Sequence, residues 1–285
     1  MRKHVSVSQA NQASRPIALS NFPVQVVATI NKARFHKIIM SMQRIAAVLA
    51  VVYVAVAALV YFRQRSLLYF PSHEKFSGQL VPWLAGGQTI GYCREMRNPH
   101  AIWLMMHGNA GQASDRDYVL SHISDGDSFY VLEYPGYGGR EGSPSSESIN
   151  QAASSAYQVL RKQHPGAAVC VLGESLGSGP ACALAREKIA PDKIVLVVPF
   201  DNLVSVASQH FPFLPVRFML KDRWDNVESL KGYKGPVDIF GAREDTIIPI
   251  EHARALANHF PSAHFLEIPG GHNDWSQAGE VKIKF

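Results

Sequence analysis

The chain has 285 residues, 47% of them hydrophobic and 18% charged, with a formal net charge of +5. The charge is uneven: residues 1–65 hold nine Lys and Arg and no acid, which leaves 19 basic against 23 acidic residues beyond them. The long remainder therefore has the apolar content for one domain and core, and lacks the basic surplus that nucleic-acid binding requires.

The first 39 residues are acid-free, Ser-rich and without periodicity. That composition fits a transit peptide or sequence upstream of a natural start, and Met40 and Met42 sit just ahead of Arg44 where such a start would fall. Residues 45–62 then run 18 positions without a charge, bracketed by Arg44 and by Arg63 and Arg65. At about 1.5 Å per residue this run spans roughly 27 Å, close to the thickness of a bilayer's hydrocarbon core. It has no polar face, as a core helix would, and Tyr61-Phe62 before Arg63 reads as an interfacial anchor rather than a cleavage site. The expected organisation is an extension over 1–43, a transmembrane signal anchor over 44–65 and a globular domain over 66–285. Lys32, Arg34, Lys37 and Arg44 precede the span, against Arg63, Arg65 and Lys75 after it. This bias places the amino terminus in the cytoplasm and the domain on the non-cytoplasmic side of a single-pass membrane protein.

Past the anchor, apolar runs alternate with amphipathic stretches, the pattern of βαβ units and a mostly parallel sheet. Strands are expected over 101–106, 128–134, 169–173, 193–198, 236–241 and 263–268. A helix over 146–164 is indicated by Ile149, Ala152, Ala153, Ala156, Val159 and Leu160 at helical spacing. Others follow over 180–188 and from about Pro249. No internal repeat or low-complexity run is present.

The chemistry gathers at strand ends. Residues 173–177, Gly-Glu-Ser-Leu-Gly, put Ser175 on a strained turn between a buried strand and a helix, where its hydroxyl projects to meet a base. A serine hydroxyl at neutral pH needs that base, and the base needs an orienting group. Asp245 lies just past the strand over 236–241, and His272 sits in Gly270-Gly271-His272-Asn273-Asp274 after the strand over 263–268. The order Ser175, Asp245, His272 suits nucleophile, orienting acid and general base. Acyl transfer also needs N–H donors aimed at the developing oxyanion. These are assigned to the backbone of Leu176 and, from the loop 107–111 after the strand over 101–106, of Asn109. His107 ends the wrong strand for the base and is expected to bond within its loop. Asp201, at another strand end, is an alternative acid.

These motifs, with Arg65-Ser66-Leu67-Leu68-Tyr69-Phe70-Pro71 and Glu133-Tyr134-Pro135-Gly136-Tyr137-Gly138, give a chain that resembles the α/β-hydrolase superfamily over about residues 66–274. It looks most similar to the membrane-anchored serine hydrolases of the Bem46 and ABHD13/ABHD17-like group. The resemblance implies an α/β-hydrolase fold: a mostly parallel eight-stranded sheet with helices on both faces and a short cap at about 200–235. It also implies esterase or thioesterase chemistry without a cofactor. Glu133-Tyr134-Pro135 replaces the family's Asp-Tyr-Arg, and the family continues into a closing helix where this chain has 13 residues after His272. Relatives with dehalogenase or epoxide-hydrolase chemistry carry Asp at the position of Ser175.

Phe200, Phe211, Phe213, Leu214, Val216, Phe218, Met219 and Leu220 enrich the cap stretch. They fit either ordinary helix packing or an apolar lid over a small-molecule or lipophilic acyl substrate. Three cysteines give no disulfide framework, and no Cys/His spacing suggests a metal; His252, His259 and His264 are spread over helix and strand. Three classes remain open: an ester or thioester hydrolase using Ser175, a serine peptidase of the prolyl-aminopeptidase type, and a membrane-tethered scaffold if the short carboxyl end prevents Ser175, Asp245 and His272 from assembling.

Overall fold

The structure is a computed structural model that describes residues 22–74 and 78–285. The chain forms two compact units, Met1–Ala57 and Ala58–Phe285. Helix α1, Phe22–Leu68, starts in the first and ends in the second. Its stretch Arg34–Leu68 is long and apolar enough to cross a membrane. The helix begins more than twenty residues ahead of the expected span because Pro23 fits a first helical turn and no Gly or Pro interrupts the chain again before Pro71. The expected start at Met40 or Met42 falls inside this helix, whereas residues 1–21 lie outside the described residues.

Eight strands make the sheet of the second unit: β1 Val81–Ala85, β2 Gln88–Arg94, β3 Ala101–Met106, β4 Ser128–Leu132, β5 Ala168–Glu174, β6 Ile194–Val197, β7 Val237–Ala242 and β8 His264–Ile268. Their spatial order is β8-β7-β6-β5-β3-β4-β2-β1. β1 and β2 pair antiparallel, β2 pairs antiparallel with β4, and every other neighbour is parallel. The order reverses around β3, so chains entering and leaving β3 and β5 diverge to opposite sides and leave a crevice at their carboxyl ends.

All six residues of β3 are buried, as a strand covered on both faces must be. Ile102, Leu104 and Met106 join one core with α2 (Ser146–Gln163), α3 (Ser178–Ala183) and a later helix, α7 (Ile250–His259). Ala101, Trp103 and Met105 point to the other, which is covered by a 3₁₀ segment, Ala113–His122, and by the carboxyl-terminal tail. α2 starts at a reciprocal cap: Ser145 accepts from the Ser148 N–H while the Ser148 hydroxyl accepts from the Ser145 N–H. The expected helix over 180–188 is shorter, ending in a 3₁₀ turn at Leu184–Arg186.

Between β6 and β7 lie three short helices, α4 Leu203–His210, α5 Val216–Met219 and α6 Asn226–Leu230. After His272 there is a 3₁₀ turn, Trp275–Gln277, followed by a tail whose Val281 and Ile283 are fully buried. The Ile283 N–H donates to the His122 carbonyl, and the His122 ring contacts the Val281 and Ser276 carbonyls at 3.0 and 2.8 Å. Val281 and Ile283 thus plug apolar side chains into the sheet face.

Candidate active site

β5 delivers Ser175 through a turn that only small residues permit. Ser175 has φ +54°, a left-handed conformation that costs a non-glycine residue energy and is held by its surroundings. A Cβ at Gly177 would run into the Met106 carbonyl, and one at Gly173 would lie 2.7 Å from Ala181 Cβ and Ser178 Cα. Both glycines are therefore fixed by the close approach of β3, β5 and α3.

The loops after β7 and β8 bring the other two residues. Asp245 lies after β7, where its Oδ1 accepts the Ile247 and Ile248 N–H groups at 2.9 and 2.8 Å, which fixes the carboxylate in place. Its Oδ2 lies 2.6 Å from His272 Nδ1, and His272 Nε2 lies 2.7 Å from Ser175 Oγ. An ionised carboxylate only accepts, so His272 Nδ1 carries the proton and Nε2 is left to accept from the Ser175 hydroxyl. All three side chains are largely buried, with Ser175 and Asp245 under 8% exposed. Asn109 and Leu176 line the same cavity as Ser175, a volume of about 160 Å³ whose other walls are almost wholly apolar.

Asp201 goes elsewhere. It lies 2.7 Å from His252 Nδ1, and His252 Nε2 faces the Gln209 amide at 2.9 Å. Burial alone would raise the Asp201 pKa, but hydrogen bonds from His252 and from the Asn202 N–H outweigh it and hold the carboxyl below its usual range. His107 is fully buried at the end of β3, stacked on Tyr134 and bonded to the Gly108 carbonyl. Burial and the nearby Arg116 push its pKa well below the ordinary value, so it is neutral and packed within its loop.

One residue of the Ser175 turn escaped the sequence reading. Glu174, buried beside the serine, accepts from Gly108 N–H at 3.2 Å, Tyr118 hydroxyl at 2.8 Å and Trp275 Nε1 at 2.9 Å. It ties the Asn109 loop, the 3₁₀ segment and the tail to the turn. The signal was in view as the variable position of the Gly-x-Ser-x-Gly pattern, but its partners are 56 to 101 residues away. A second hidden tie runs from the end of α1: Asn109 Nδ2 donates to the Leu68 carbonyl at 2.8 Å, and the Phe70 N–H and Tyr137 hydroxyl donate to the Asn109 carbonyl. Among the described residues no cluster of His, Cys, Asp and Glu is arranged to hold a metal ion. The three cysteines are free and buried.

No protein-family model matches the chain. An uncharacterised protein of Mycobacterium tuberculosis is 33% identical over 176 residues, covering 60% of this chain and 62% of that one. Human ABHD12B is 32% identical over 193 residues, and zebrafish ABHD12, a lysophosphatidylserine lipase, is 28% identical over 186. These matches cover 60% and 58% of this chain and 53% and 48% of those relatives, so the chain matches about half of their length. Among solved structures, a Pyrococcus furiosus esterase superposes with a TM-score of 0.55 at 13% identity, over 74% of this chain and 95% of that one. An α/β hydrolase of Vibrio vulnificus gives a TM-score of 0.53 at 18% identity, over 66% and 71%. The fold is shared with these solved structures, while the relatives' names do not single out the Bem46 or ABHD13/ABHD17-like group.

Proposed function

We propose that this chain, which has the fold of the α/β hydrolases it superposes on, is a serine hydrolase cleaving carboxylic ester or thioester bonds through Ser175, His272 and Asp245. The observation that carries this reading is the continuous hydrogen-bonded run from Asp245 through His272 to the Ser175 hydroxyl, at 2.6 and 2.7 Å. His272 Nε2 takes the Ser175 proton as Oγ attacks the carbonyl carbon. The resulting oxyanion is held by the Leu176 and Asn109 N–H groups, while Asp245 stabilises the imidazolium. His272 then gives that proton to the departing alkoxide or thiolate. A water, deprotonated by the same nitrogen, releases the acid and restores Ser175.

The apolar walls around Ser175 and the lipase among the relatives support a lipophilic acyl substrate. Anchoring in a bilayer through residues 45–62, with the 66–285 domain on the non-cytoplasmic face and 200–235 as its cap, completes the proposal. Fluorophosphonate labelling of the detergent-solubilised chain tests the chemistry. Labelling is expected in the wild type and absent in Ser175→Ala of matching circular dichroism; a folded wild type that stays unlabelled overturns the reading.

A further inference from the structure

A second apolar cavity, of about 110 Å³, lies behind the first. The two share Leu68, Ala207 and Phe211 as walls, so these side chains are what separates the space beside Ser175 from the second one. The far cavity is lined on one side by Val60 and Leu67 of α1 and on the other by Leu214 and Met219 around α5. Beside Tyr61, Gln64 is the residue that brings a polar group to its lining. Its amide is already engaged, contacting the Tyr61 and Met219 carbonyls at 2.7 and 3.2 Å and accepting the Lys221 N–H. The walls therefore offer a ligand chiefly apolar contact.

The end of α1 is built into this site rather than merely leading to it. Arg65 pairs with the buried Asp222 at 2.9 Å, and Asp222 also accepts from Ser146 at the start of α2. Lys221 lies 4.2 Å above the Tyr61 ring. At the other end, the Leu68 carbonyl holds the side chain of Asn109 beside Ser175. The last turns of the apolar helix are thus fixed both to the α5–α6 segment and to the loop that faces the reacting carbonyl.

We propose that the paired cavities form an acyl-chain subsite, in which the tail of a long-chain ester or thioester runs from Ser175 past Ala207 and Phe211 into the space between α1 and α5. This rests on the hydrolase reading, and it adds that the membrane helix itself sets chain-length preference. Each methylene that enters leaves water for apolar contact, so selectivity comes from how many fit before the walls of Leu67 and Met219. The polar leaving group remains at the Ser175 end, since the inner walls are chiefly apolar and would strip it of water.

The full-length protein in detergent micelles is assayed on p-nitrophenyl butanoate and dodecanoate, and the ratio of the two kcat/KM values is read. A partly unfolded preparation lowers both values and leaves the ratio untouched. Met219→Trp, which fills the far cavity, is expected to lower the dodecanoate-to-butanoate ratio about tenfold. Met219→Ala, which enlarges it, is expected to raise the ratio. A ratio unmoved by both variants overturns the subsite. If the wild type cleaves neither ester, the hydrolase reading fails on its own, and fluorescence titration with cis-parinaric acid decides the subsite. Binding that Met219→Trp weakens about tenfold supports it; equal binding, or none in the wild type, overturns it.

Discussion

The domain holds two Asp–His pairs of nearly the same geometry, and they have different uses. Asp245 meets His272 at 2.6 Å and Asp201 meets His252 at 2.7 Å, each through Nδ1. The difference lies at the far nitrogen. His272 Nε2 faces a serine hydroxyl held on a strained turn at a cavity, whereas His252 Nε2 faces the Gln209 amide of α4. In the proposed reaction the first pair passes a proton to and from a nucleophile; the second ties α7 and α4 to the end of β6. An Asp–His contact therefore acquires chemistry only from its third partner and from access to a substrate.

Replacing the histidines breaks the comparison most sharply. His272→Ala is expected to lower kcat by about 10⁴ to 10⁶, as loss of the base in a coupled triad does. His252→Ala should leave kcat within a few-fold while lowering the thermal midpoint. Comparable activity losses in the two, measured on butanoate ester, would sink the assignment. The acids sharpen it next: Asp245→Asn should cost about 10⁴ in kcat by allowing the wrong imidazole tautomer. Asp201→Asn should instead destabilise by about 1–3 kcal/mol, read from denaturant midpoints.

Glu174 sits between these extremes, since it touches neither substrate nor proton path but holds the Gly108 N–H next to Asn109. Glu174→Gln is expected to lower kcat by about 10 to 10² with KM little changed, because the oxyanion donors lose their fixed position. A change confined to KM would place it in binding instead. The last effect acts on stability alone and concerns Glu133, whose carboxyl burial raises to about 7. The folded protein then keeps a proton that the unfolded chain releases above about 4.5, so this group favours folding at low pH and the advantage fades as pH rises to about 7. The decline amounts to about 3 kcal/mol at most. Glu133→Gln should flatten it, seen as a smaller fall in thermal midpoint between pH 5 and pH 8 than in the wild type.

Much of this architecture is legible along the chain. The β3 run 101–106 matches its expected bounds to the residue, because six consecutive buried residues between polar loops leave no other register. Ser175, Asp245 and His272 were each findable as polar residues on glycine-bearing or acidic turns just after strands. The α1 boundary was less legible: an apolar window locates the stretch that suits a membrane, but the helix runs on for as long as nothing breaks it, here from Phe22. The packing of the tail was not legible, since nothing local marks Val281 and Ile283 as residues that bury against the sheet.

By itself the sequence determined the periodicities, six of the eight strands of the main sheet, the sharp turn at Ser175 and the apolar run ahead of the domain, all of which depend on neighbours a few residues apart. Tertiary structure decided which of two aspartates meets His272, that Glu174 ties three distant segments together, and that the end of α1 walls a cavity behind the serine. Those relations join residues 27 to more than 150 positions apart. No local pattern encodes such contacts; they exist only once the parallel sheet has brought the carboxyl ends of its strands to one edge.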